Sequence, residues 1–215
     1  MEIKVMKRVL DRNRDMAARV RQLLRSKNIN MINMISSPGA GKTSLLEKIC
    51  EQFAGEFRIA VIEGDVATDR DAQRLKKFGI PIVLINTDGG CHLDSNSIDI
   101  ALKEFDLNDL DAIFVENVGN LVCPSHFDLG ETFKLALVST TEGDDKPIKY
   151  PMIFREARAV VLNKTDLLKH TDFDFNSFLA DLNQVNPGIS LFELSCRTGH
   201  NMEKFMEWLK SSIKT

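Results

Sequence analysis

Residues 36–43 read Ser36-Ser37-Pro38-Gly39-Ala40-Gly41-Lys42-Thr43, between the apolar run Met31–Ile35 and a helix-like stretch from Ser44 to Ile49. A strand, a glycine turn and a helix N-terminus in that order cradle an anion. Backbone N–H groups point at phosphate oxygens, and the helix end adds partial positive charge. Lys42 is placed to reach β- and γ-phosphates, and the Thr43 hydroxyl suits Mg²⁺. The expected phosphate contacts are Gly39, Ala40, Gly41, Lys42, Thr43 and Ser44. A P-loop wants Gly where this chain has Ser36. Gly39 and Gly41 supply the flexible backbone instead.

Asn163-Lys164-Thr165-Asp166 follows a buried-type strand more than a hundred residues later. The Asp166 carboxylate matches the N1–H and 2-amino donors of guanine; adenine would leave it unpaired. The Lys164 stem can lie along the base. Ser195-Cys196-Arg197-Thr198-Gly199 closes the last strand and reads as a further guanine-contacting loop, with Ser195 and Cys196 as its contacts. The nucleotide expected is therefore GTP or GDP.

Two strand ends carry carboxylates. Glu116-Asn117-Val118-Gly119 fits a pattern in which the acid holds Mg²⁺ and the glycine senses the γ-phosphate. Thr43, Glu116 and Asp65 form the expected Mg²⁺ environment, and Lys42, Asp65 and Glu116 the catalytic set. Asp65 is read either as part of that environment or as the group orienting the attacking water. Asp69 and Asp71 are equally well read as stabilising a helix N-terminus.

Cys91-His92 follows the Gly89-Gly90 turn, and Cys123 lies four residues beyond Gly119. Thiolate and imidazole suit Ni²⁺ or Zn²⁺. Both loops are expected on the nucleotide side of the sheet, where a bound ion would feel which nucleotide is present. His126 is weighed as a fourth ligand against an ordinary surface histidine. Cys50 is read as core.

The elements that must position these groups follow from periodicity. Residues 1–28 read as an amphipathic N-terminal helix, with apolar positions between Ile3 and Leu24 at helical spacing. Near-continuous apolar runs then alternate with helical stretches, implying an α/β P-loop fold with a mostly parallel sheet of about seven strands. No linker or repeat breaks residues 1–215, which are read as a single GTPase domain. With 215 residues, 43% hydrophobic and 27% charged, the chain can bury one substantial core. A net charge of −3 gives no attraction to nucleic acid or membrane. No signal-peptide core or spanning run is visible, so a cytoplasmic location with thiols reduced is expected.

Together these residues resemble the hydrogenase maturation nickel-insertion GTPases, often called HypB. The resemblance covers nearly the whole chain. It rests on residues 36–43, Glu63-Gly64-Asp65, Cys91-His92-Leu93-Asp94, Glu116 to Pro124, Phe127 to Glu131, Glu142 to Pro151, and Asn163 to Asp166. It implies a SIMIBI-type GTPase with slow regulatory turnover, assembling as a GTP- and metal-dependent homodimer. The implied Ni²⁺ or Zn²⁺ ligands are Cys91, His92 and Cys123. The implied partners are a small zinc-containing accessory protein and the [NiFe]-hydrogenase large subunit, to which nickel is delivered. The chain has neither the N-terminal Cys-x-x-Cys-Gly-Cys nor the His-rich stretch of some members, so metal function is expected to rest on the three ligands above. The related urease-accessory GTPases carry Cys-Pro-His where this chain has Cys91-His92-Leu93. A small-molecule kinase would not need Asn163-Lys164-Thr165-Asp166 and would not explain Cys123; a zinc-stabilised structural protein with vestigial nucleotide binding is a further alternative.

Overall fold

The computed structural model describes the backbone of residues 2–65 and 70–214, and the side chains of 10–64 and 72–214. Seven strands form one all-parallel sheet in the order β3-β2-β4-β1-β5-β6-β7. They are β1 (Asn30–Ser36), β2 (Ile59–Asp65), β3 (Ile82–Asn86), β4 (Ala112–Glu116), β5 (Phe133–Ser139), β6 (Ala157–Asn163) and β7 (Ser190–Glu193). Between and around them lie α1 (Glu2–Ser26), α2 (Lys42–Phe53), α3 (Arg70–Leu75), α4 (Ser95–Leu102), α5 (Lys146–Lys149), α6 (Pro151–Glu156), α7 (Phe175–Val185) and α8 (Met202–Lys214).

Strand β1 is central and is buried on both faces from Met31 to Ser36. Its side chains alternate. Ile32 and Met34 join a core with Leu45, Ile49 and Phe53 of α2 and Phe205 and Leu209 of α8. Met31 and Ile35 face the other way, towards Val20 and Leu24 of α1, Ile98 of α4, and Phe154 and Phe178 of α6 and α7. Period-two alternation thus covers both faces of the sheet with helices, as an all-parallel sheet requires. The helix after the turn starts at Lys42, two residues before the expected Ser44. No described helix is long and apolar enough to cross a membrane. The side chains of Ile3, Met6 and Val9, expected on the apolar stripe of α1, lie outside the described residues, as do Asp69 and the side chain of Asp71.

Candidate nucleotide and metal site

Parallel strands bring every C-terminal strand end to one edge of the sheet, and there the P-loop residues line a cleft of about 540 Å³ with Glu63, Arg74, Glu116, Asn117, Gly119 and Lys164. Lys42 Nζ donates to Ser36 Oγ at 2.9 Å, so the hydroxyl at the departing position folds into the loop rather than blocking it. Gly41 has φ +104°, and a Cβ there would sit 2.4 Å from Asn163 Nδ2. Only glycine tolerates both constraints. Thr43 Oγ1 donates to Glu116 Oε1 at 2.9 Å, which pairs the two expected Mg²⁺ neighbours. The Asp65 side chain lies outside the described residues, so its place in that environment rests on sequence. Glu63, to which the sequence reading gives no chemical role, is a buried strand-end acid that lines the cleft and stands beside Glu116 in strand register. Its signal was available: a carboxylate close to the C-terminal end of an otherwise apolar strand.

At the other side of the cleft, Asn163 ties three segments together. Its Nδ2 donates to Ala40 O at 2.9 Å, and its Oδ1 accepts from Lys164 N at 2.8 Å and Cys196 N at 3.1 Å. Lys164 adopts φ +60° and its Nζ donates to Gly39 O at 2.7 Å. Ser195 Oγ donates to Asp166 Oδ1 at 2.6 Å, holding the carboxylate in one orientation. Cys196 is buried, and that burial pushes its thiol up to about 12. It is therefore a neutral packing group whose backbone faces Asn163. Cys50 is a core residue for the same reason, its thiol also pushed up to about 12. Arg74 reaches the rim, but its guanidinium donates to Ser44 Oγ and Glu47 Oε2.

Past the Glu116 end of β4 the chain turns against the P-loop: a Cβ on Gly119 would lie 3.0 Å from Pro38 Cα. It then enters a 3₁₀ turn, Cys123–His126. Cys91 and His92 arrive from the turn after β3. Ligand atoms of Cys91, His92 and Cys123 lie within 4.8 Å of one another, with Cys91 Sγ 3.4 Å from His92 Nδ1. His126 is exposed and stands outside this cluster among the described residues. A hydrogen bond with Cys123 raises the Cys91 thiol above its ordinary range, and burial lowers the His92 imidazole, which favours its neutral, ligating form. Two soft sulfurs and one imidazole fit Ni²⁺ or Zn²⁺.

Residues 30–193 match the family described as the CobW/HypB/UreG nucleotide-binding domain. The hydrogenase maturation factor HypB of Azotobacter vinelandii is 46% identical over 202 residues, covering 94% of this chain and 67% of the relative, so the chain spans about two thirds of that protein's length. Among solved structures, hydrogenase maturation factor HypB from Archaeoglobus fulgidus superposes with a TM-score of 0.88 at 37% identity, covering 94% of this chain and 99% of that one. HypB from Helicobacter pylori, solved in complex with nickel, gives 0.87 at 35% identity, covering 94% of this chain and 95% of that one. With its P-loop, its all-parallel sheet and these likenesses, the chain belongs to the HypB family of hydrogenase maturation factors.

Proposed function

We propose that this chain is a GTP-hydrolysing metallochaperone that grips Ni²⁺ or Zn²⁺ according to its nucleotide state and assists nickel insertion into a [NiFe]-hydrogenase. The observation that carries this reading is a single short segment. It begins at Glu116, which bonds to Thr43 of the P-loop, and ends at Cys123, which lies in the sulfur–imidazole cluster. The nickel complex of the Helicobacter pylori relative supports it.

In the hydrolysis step, water attacks the γ-phosphorus, the bond to the β–γ bridging oxygen breaks, and GDP and phosphate leave. Lys42 and the loop N–H groups offset charge on the phosphates, and positioning supplies most of the catalysis. Thr43 and Glu116 would hold Mg²⁺, which when bound neutralises charge on the β- and γ-oxygens. Arg74 is engaged by Ser44 and Glu47 and supplies no arginine finger in this arrangement, consistent with slow turnover. Asp166, oriented by Ser195, reads the guanine edge. Cys91, His92 and Cys123 would hold the transported ion. A three-ligand set leaves room for water or a second subunit, so the site fits a homodimer interface. The small zinc-containing accessory protein and the hydrogenase large subunit are the partners this role requires, in the cytoplasm.

Equilibrium dialysis with Ni²⁺ tests the reading. Wild type should bind tightly, and Cys91→Ala and Cys123→Ala should each lose that binding. Unchanged stoichiometry in both variants would refute the ligand assignment.

A further inference from the structure

The two halves of the sulfur–imidazole cluster come from strands that are not neighbours. Cys91 and His92 follow β3 and Cys123 follows β4, with β2 between them. Strands pack about 4.8 Å apart, so these loops leave the sheet roughly 10 Å from one another. Their ligand atoms nevertheless meet within 4.8 Å. Something other than the sheet must draw them together.

Beside the bond from Leu93 N to Asn117 Oδ1, two side chains outside the cluster do so. The ring of Phe127, the residue directly after the Cys123–His126 turn, stacks on the His92 ring with centroids 3.8 Å apart and planes 29° from parallel. This contact spans the two loops. Asn13, buried in the middle of α1, spans them again one layer further out. Its Nδ2 donates to Asp128 O at 2.8 Å, next to Phe127. Its Oδ1 accepts from Ser95 N and Ser95 Oγ, both at 2.9 Å, at the start of α4 just beyond His92. Ser95 Oγ also reaches Asn13 O at 2.8 Å. Arg21, two turns along the same helix, pairs with the Asp128 carboxylate. One buried amide therefore fixes the distance between the segments that follow His92 and Cys123, and the aromatic face fixes the plane of the imidazole.

We infer that Asn13 and Phe127 are positioning residues for the metal cluster: α1 and the Phe127 ring form a brace that pre-assembles Cys91, His92 and Cys123 before an ion arrives. The inference rests on the reading of this cluster as a metal site. A pre-assembled donor set binds tighter because the ordering of its loops is already accomplished in the empty protein. Outer-shell groups that orient metal ligands by hydrogen bonds typically contribute about 10–100-fold in affinity, and the brace is expected to act on that scale.

The test uses two probes on the full chain, in wild type and in Asn13→Ala, Phe127→Leu and Phe127→Tyr. The first is phenylarsine oxide on metal-free protein; its trivalent arsenic bonds two thiols only where they lie close together. The second is Co²⁺, whose thiolate charge-transfer bands report ligand number and geometry, followed by Ni²⁺ competition. GDP affinity certifies the fold of each variant. The brace predicts that Asn13→Ala and Phe127→Leu lose the arsenical cross-link, weaken Co²⁺ and Ni²⁺ binding roughly 10–100-fold and alter the charge-transfer bands. GDP affinity should stay at the wild-type value. Phe127→Tyr, which keeps the stacking face, should restore all three metal readouts. If wild type binds and Phe127→Leu binds equally well with an unchanged spectrum, the brace is overturned while the metal reading stands. If wild type takes up neither arsenical nor metal, the metal reading falls and the brace with it.

Discussion

Single residues set what this chain can recognise. Ser195 Oγ donates to Asp166 Oδ1 and fixes the carboxylate that the proposed function assigns to the guanine edge. Asp166→Asn should lower GTP affinity about 100-fold or more, because the replacement amide presents a donor to guanine donors. Competition binding with GTP and ATP checks this, and unaltered preference would remove Asp166 from the base site. The four cysteines divide by environment. Cys50 and Cys196 are buried, with thiols pushed up to about 12, while Cys91 is exposed and Cys123 half-buried. At pH 8 a small alkylating reagent should therefore modify Cys91 and Cys123 and spare the other two, as mass spectrometry of the labelled peptides can show. The same burial gives a linkage with a definite sign. A thiol whose folded pKa is raised stabilises the fold below its unfolded pKa, and that contribution is lost as pH climbs towards about 12. At this scale the P-loop and the Asn163–Asp166 motif were legible because each needs particular residue types at short spacing, and the Cys-His-Cys set because Cys91-His92 and Cys123 each follow a strand end. Phe127 and Asn13 were not, as positioning groups. An aromatic ring and an amide in ordinary elements acquire that meaning only from neighbours that are distant in sequence.

Elements carry those residues to one edge. Apolar runs marked all seven strands: the central ones are covered on both faces and have no polar side to show, while the edge strands β3 and β7 keep apolar runs although partly exposed. The sequence reading assigns no element between Asp166 and Ser190, yet α7 fills Phe175–Val185. Its signals are an Asp174 cap accepting from Asn176 N and Ser177 N, and Phe178 and Leu182 one turn apart on the buried face. The N-terminal helix was legible as amphipathic, but its grip on the segments beyond the metal ligands was not. One contact of that helix gives a stability test. Gly130 has φ +86°, and a Cβ there would lie 2.7 Å from Ala17 O and 2.7 Å from Val20 Cγ1. Gly130→Ala combines backbone strain with collision against a packed helix, so a loss of about 2 kcal/mol is expected. In a chain of this size that lowers Tm by about 4–8 °C. A scanning calorimeter that records no change would mean α1 gives way more easily than its packing suggests.

For the whole molecule, the consequence of this layout is that one stretch of eight residues, Glu116 to Cys123, touches both chemistries. Gly119 packs on Pro38 of the phosphate loop, and Asn117 Oδ1 accepts from Leu93 N, next to His92. On the proposed function, a γ-phosphate that draws Gly119 towards it would displace a segment that bonds to Leu93 and carries Cys123. Coupling of this kind is reciprocal: whatever nucleotide does to the ion, the ion does to nucleotide. If the proposed ion site is completed by a second subunit, GTP and Ni²⁺ together should shift the chain to twice its monomer mass in sedimentation, whereas a monomer under every condition would place the site within one chain.

The most direct measurement is the Ni²⁺ dissociation constant of the same protein saturated first with GDP and then with a non-hydrolysable GTP analogue, read alongside the metal's X-ray absorption edge. The account predicts at least a fivefold difference in affinity, about 1 kcal/mol of coupling, together with a change in coordination geometry. Equal affinity and an identical edge with both nucleotides would contradict it.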